Sequence, residues 1–148
     1  MADAAKSDWV RLYCLSRYGG VWLDASTILL KPLDGLVQRR ARDFVGYYMS
    51  GWNSRPDVRV VESWFLAAPP GSPFLADWFA EFDALCRDFP SPDAYVAAVA
   101  PALDLAKFPP QYMTYLVVHV AAQAVLQRHA DGEAHYDLAL DKAQDGPF

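Results

Sequence analysis

Cysteine is scarce: the 148 residues contain two, Cys14 and Cys86. They lack the close spacing of thiolate metal sites, and each lies among apolar residues in a segment that reads as a helix. Buried free thiols are the expectation. No block of lysine and arginine stands out against a net charge of −5, which argues against a nucleic-acid partner. Long apolar runs are absent as well. The longest, Tyr115 to Leu126, is interrupted by His119 and Gln123 and falls short of the ~20 residues a membrane helix needs. Met1 to Lys6 lacks the apolar stretch of a secretory leader. Together these absences point to a cytoplasmic protein, with peripheral membrane attachment as the second reading.

What is present suits one domain around one core: 53% hydrophobic and 21% charged residues, with acidic side chains spread along the chain. Asp3 to Tyr18 reads as a helix stopped by Gly19-Gly20. Val21-Trp22-Leu23 reads as a buried strand, apolar on both faces and hence central. Thr27 to Leu30 reads as a second extended piece ended by Pro32, Phe44 to Tyr48 as a further strand, and Ser50 to Asp57 as a loop. Val58 to Ala68 reads as a strand, closed by Pro69-Pro70-Gly71-Ser72-Pro73. Phe74, Trp78, Phe82 and Leu85 place an apolar stripe on a helix from Phe74 to Phe89. Asp93 to Lys107 reads as a helix kinked at Pro101, and Gln111 to His129 as the last helix. Residues 130–148 read as an irregular polar tail. Alternating strands and helices predict an α/β protein.

One segment concentrates chemistry. Ser7, Asp8 and Arg11 lie close together on the first helix, with Asp8 and Arg11 on one face at i, i+3. Gly19-Gly20 permits a tight turn and a close approach of backbone to a ligand. Val21-Trp22-Leu23 then delivers Asp24 to the carboxyl end of a strand, where open α/β sheets bind ligands. The plain alternatives are a surface ion pair for Asp8 and Arg11, and a turn residue for Asp24.

The pattern Ser7-Asp8-Trp9-Val10-Arg11, followed by Gly19-Gly20-Val21-Trp22-Leu23-Asp24-Ala25-Ser26, resembles glycosyltransferases with a DXD sugar-binding region. It is especially similar to the capsular polysaccharide synthesis subgroup, whose helix reads Ser-Asp-x-x-Arg and whose strand reads Gly-Gly-x-Trp-x-Asp-Ala-Thr. Glu62-Ser63-Trp64-Phe65-Leu66-Ala67-Ala68 is similar to a weaker motif of that family. Asp141 and Gly146-Pro147 faintly resemble its tail. The resemblance implies a GT-A-type nucleotide-diphospho-sugar fold and transfer of a hexose from a nucleotide sugar, such as a UDP-sugar, to a glycan or polysaccharide acceptor. It implies donor binding by Ser7, Asp8, Arg11, Gly20, Asp24 and Trp64, and catalytic roles for Asp24 and Glu62. It also implies a divalent metal, Mn²⁺ or Mg²⁺, at Asp24 and at the second acidic position. That position is Ser26 here, a neutral and weaker ligand. His119 is a further candidate metal ligand, against the plainer reading of a core histidine.

Trp9 and Trp22 read as core before stacking platforms, as does Trp64, and Glu62 suits a structural role equally well. Paired carboxylates Asp24 and Glu62 would also suit glycoside hydrolysis, but the Gly-Gly-strand-Asp context argues against it. In folds of this type the first strand–helix units hold the nucleotide base. The chain begins at the helix carrying Ser7-Asp8 and ends at Gly146-Pro147-Phe148. The expectation is therefore the C-terminal part of a glycosyltransferase catalytic domain, with N-terminal units missing. A non-catalytic sugar-nucleotide- or glycan-binding remnant is the alternative. An incomplete sheet would leave an unpaired edge open to self-association.

Overall fold

A computed structural model describes residues 3–37 and 42–145; Gly146 and Pro147 lie outside the described residues. The chain runs α1 (Asp3–Tyr18), β1 (Gly20–Leu23), a one-turn α2 (Asp34–Val37), β2 (Phe44–Tyr48), β3 (Val61–Ala68), α3 (Pro73–Asp88), α4 (Pro92–Val99), α5 (Val117–Gln127) and β4 (Leu138–Lys142). Short 3-10 turns fill several connections.

The four strands form one mixed sheet in the order β1-β3-β2-β4. β3 is antiparallel to both β1 and β2, whereas β2 and β4 are parallel. Side chains alternate across the sheet. Phe44, Leu66 and Ala68 join the main core with Leu12, Leu15, Trp78, Phe82 and the apolar face of α5. Val45, Tyr47, Phe65 and Ala67 form a smaller cluster on the other face, against Leu33, Leu36 and Val37.

α3 shows how local signals and packing agree. Ser72 caps the helix by accepting from the Leu75 amide at 3.4 Å, and Pro73 occupies the first turn, where its missing N–H costs nothing. Phe74, Trp78, Phe82 and Leu85 then face the core, all buried. The buried Trp78 indole donates to the Val118 carbonyl at 2.9 Å, tying α3 to α5.

The α1–β1 turn is built on glycine. Gly19 has φ +65°, and a Cβ there would lie 2.4 Å from the Pro70 nitrogen. Only glycine takes this conformation and this approach together.

Five sequence expectations need correction. The helix expected over Asp93 to Lys107 ends at Val99, because Pro101 sits in a 3-10 turn (Ala100–Ala102) after which the chain is extended. Val21-Trp22-Leu23 is an edge strand among the described residues, not a central one, and Val21 is 40% exposed. Thr27 to Leu30 joins no strand. Its Ile28, Leu29 and Leu30 are exposed, because the chain turns at Ala25-Ser26 away from the ladder. The last helix starts at Val117, since Pro109-Pro110 leads into a 3-10 turn and further turns through Leu116. The tail is not irregular throughout: Leu138–Lys142 forms β4 on the exposed side of β2, with Leu140 buried. Among the described residues, no helix is long and apolar enough to cross a membrane. Cys14 and Cys86 are not joined in a disulfide, and each is partly buried.

Candidate functional site

The strand register brings the site together. Leu23 pairs with Phe65, and the Asp24 amide donates to the Trp64 carbonyl at 2.9 Å. The residue after β1 therefore lies beside the start of β3, which carries Glu62, Ser63 and Trp64. α1 supplies Ser7, Asp8 and Arg11 from one side, and the first turn of α5 supplies His119 from another. These residues line a cleft of about 440 Å³, with Met49, Tyr115 and Leu116 also on its wall.

Arg11 is the organising group. Its guanidinium contacts Asp8 Oδ1 through Nη2 and Asp24 Oδ1 through Nη1, each at 3.2 Å. Nη1 also donates to the Ser63 carbonyl at 2.6 Å, and Nη2 to Ser7 Oγ at 3.4 Å. The guanidinium carbon lies 5.3 Å from the Trp22 ring centre, and the Trp22 indole donates to the same Asp24 Oδ1 at 2.9 Å. Arg11 and Asp8 are both almost fully buried. Ion pairs of this kind fix geometry more than they add stability, because each charge has lost its water. The cation is thus committed to protein oxygens at both Nη atoms, while its buried Nε has no hydrogen-bond partner.

Burial raises the Asp8 carboxyl above its ordinary value, against the lowering pull of Arg11 and then His119, while Asp24 adds to the rise. Opposite, His119 Nε2 lies 3.7 Å from Glu62 Oε2, too far for a hydrogen bond. His119 is buried, yet neither ring nitrogen has a hydrogen-bond partner. Buried polar atoms are normally paired, so unpaired ones on a cleft wall mark places where a ligand's polar groups would be satisfied.

Three carboxylates, Asp8, Asp24 and Glu62, face one guanidinium in the cleft. Such a surplus suits a polyhydroxylated ligand or a cation, and repels a bare phosphate.

The structure gathers Ser7, Asp8, Arg11, Asp24, Glu62, Trp64 and His119 in one cleft. It does not gather Gly20 or Ser26. Gly20 begins β1 and lines a separate cavity with Ala68 and Pro69. Ser26 is exposed and lines an apolar groove with Ile28, Leu30 and Trp64. Trp64, stacked on Tyr47 at 4.9 Å, forms part of both walls. Trp9 stays outside the cleft, stacked on Tyr13 and bonded to Asp83. Asp24, Ser26 and His119 therefore do not converge on a single point as a metal cage. The Ser63 carbonyl and Tyr115 had no motif to announce them: the first is backbone, and the second is an exposed aromatic ahead of a helix.

The family model described as capsular polysaccharide synthesis protein matches residues 1–86. The O-glycosyltransferase braB of Annulohypoxylon truncatum is 36% identical over 81 residues, covering 53% of this chain and 19% of that protein. The matched stretch thus spans about a fifth of the relative's length. No solved structure matches the chain.

Proposed function

The chain belongs to the capsular polysaccharide synthesis protein family, and from that premise we propose that its cleft serves glycosyl transfer, moving a hexose from a nucleotide-sugar donor to a glycan acceptor. The observation that carries this reading is the buried Asp8–Arg11–Asp24 cluster facing the unpartnered His119 across a cavity of small-ligand size. The matched residues 1–86 include the cluster and Glu62, and leave out His119. The sheet is read here as part of a GT-A-type domain.

In this proposal Asp24 and Asp8 accept hydrogen bonds from donor sugar hydroxyls. Asp24 Oδ2, without a partner among the described residues, is the atom placed to do so. Arg11 is a positioning residue: with both Nη atoms engaged, it orients the two carboxylates. Glu62 takes the proton of the acceptor hydroxyl as that oxygen bonds to the sugar's anomeric carbon. The bond from that carbon to the diphosphate oxygen breaks, and the diphosphate leaves with the electron pair. The cleft's negative surplus fits a divalent cation that arrives with the diphosphate, since Mg²⁺ is commonly held by one or two carboxylates plus substrate phosphates. Asp24 is the carboxylate that would hold it, and the ion would neutralise charge on the leaving group. A UDP-sugar is the donor to try first.

The test of the chemistry is Glu62→Gln. It is expected to lower UDP release from a UDP-hexose, in the presence of glycan acceptor, by at least a hundredfold while donor affinity changes less than threefold. Unchanged turnover in the variant would remove Glu62 from the reaction. A second reading, binding without turnover, is favoured by the displacement of Ser26 from the cleft. It predicts donor binding in the wild-type chain with no UDP release under any condition.

A further inference from the structure

A second cluster lies outside the cleft, in the connection between α5 and β4. His129 follows α5, Asp131 precedes a 3-10 helix (Gly132–His135), and His135 ends that helix. One ligand atom from each of His129, Asp131 and His135 can be chosen so that all lie within 4.8 Å of one another, the one such trio of His, Cys, Asp or Glu among the described residues. The two imidazoles are parallel to within 7°, with ring centres 3.6 Å apart, and His135 Nδ1 lies 3.6 Å from Asp131 Oδ1.

The backbone that carries them is pinned. Gly132 has φ +56°, and a Cβ there would meet the Asp57 carbonyl oxygen at 2.6 Å. The Glu133 amide donates to that same oxygen at 3.0 Å, and the Glu133 carboxylate is held by Arg59 at 2.6 Å. The side chains are oriented as well. The Tyr136 hydroxyl donates to Asp77 at 2.6 Å, so its oxygen can only accept from His129 Nε2, 3.1 Å away. His129 therefore carries its proton on Nε2 and presents the lone pair of Nδ1. A carboxylate–hydroxyl–imidazole chain of this kind is how proteins fix the tautomer of a metal-binding histidine.

We propose that His129, Asp131 and His135 form a binding site for a divalent transition metal, separate from the cleft. Two imidazole nitrogens and one carboxylate oxygen suit Zn²⁺, Co²⁺ or Ni²⁺ better than Mg²⁺ or Ca²⁺. Ligand bonds of about 2.0–2.1 Å lie in the imidazole planes, so a shared ion requires the His135 ring to turn out of its parallel stack on His129 and the three groups to draw together. The exposed Asp131 and His135 side chains have room to do so. The bound ion would staple the end of α5 to the start of β4, the edge strand parallel to β2. This inference does not depend on the glycosyl-transfer reading.

The experiment uses tag-free full chain, stripped with EDTA, carrying Asp24→Asn so that the cleft cannot contribute. Zn²⁺ is titrated by calorimetry and Co²⁺ by its visible absorption. One equivalent is expected to bind, at least tenfold more weakly in Asp131→Asn or His135→Asn and without saturation in the double variant, with far-UV circular dichroism unchanged. Excess Zn²⁺ is expected to raise the thermal midpoint by several degrees in the parent and not in the double variant. No saturable binding, or binding that survives the double substitution, overturns the proposal.

Discussion

Replacing Arg11 by methionine is expected to destabilise the chain by about 3 kcal/mol at neutral pH, at the lower end of what losing one partner of a buried ion pair costs. The loss goes beyond two weak contacts. Asp8 and Asp24 would remain near each other without their shared cation, and the Ser63 carbonyl would lose its donor. Asp24 is about one-third exposed and can turn to water, which limits the effect; Asp8 cannot. The sign of the pH dependence follows. Burial raises the Asp8 carboxyl in the folded chain, and Arg11 is the largest influence holding it down. Removing Arg11 widens the window above the ordinary value of 3.8 in which the folded state holds a proton that the unfolded state has lost. Across that window stability falls as pH rises. Urea denaturation at pH 5 and pH 7 should show a smaller gap between wild type and Arg11→Met at the lower pH. An equal gap would mean that Asp8 is not the stranded charge.

Trp78→Ala is expected to cost about 3–5 kcal/mol, the range for deleting a fully buried aromatic side chain. The indole is wholly buried between α3, α5 and the sheet, close to Phe44 and Phe74. Its removal also breaks the hydrogen bond from the indole to the Val118 carbonyl, which ties α3 to α5. Trp78→Phe keeps most of the volume and loses the hydrogen bond, so about 1–3 kcal/mol is expected. Because a domain of this size is stabilised by only about 5–15 kcal/mol, Trp78→Ala should shift the chemical denaturation midpoint far more than any exposed substitution. Loss of less than about 1 kcal/mol would place Trp78 outside the core.

Legibility from sequence tracked the range over which each signal acts. α1, the Gly19-Gly20 stop and the core stripe of α3 depend on residues within a few positions of one another, and all three were readable. Asp8 with Arg11 was readable because i, i+3 on a helix fixes a face. The reach of Arg11 to the Ser63 carbonyl was not, because its partner is backbone 52 residues away. β4 was missed because Leu138 and Leu140 alternate with Ala139 and Asp141 in a polar stretch; a parallel partner, β2, makes it a strand. Thr27 to Leu30 misled in the opposite way. Its apolar, partly β-branched composition suits a strand, yet no strand among the described residues pairs with it. Nothing in the sequence distinguished Glu62 and His119 as neighbours, since the register of β3 and the packing of α5 set their meeting.

The central claim is that the cleft ending at Asp24 is a donor-sugar site. Calorimetric titration of UDP-glucose and UDP-galactose, with and without Mn²⁺, into the folded chain and into Asp24→Asn tests it most directly. The account predicts saturable binding of at least one donor to the wild-type chain, weakened at least tenfold by Asp24→Asn. Donor binding of equal strength in the variant, or none in a folded wild-type chain under any condition, would contradict it.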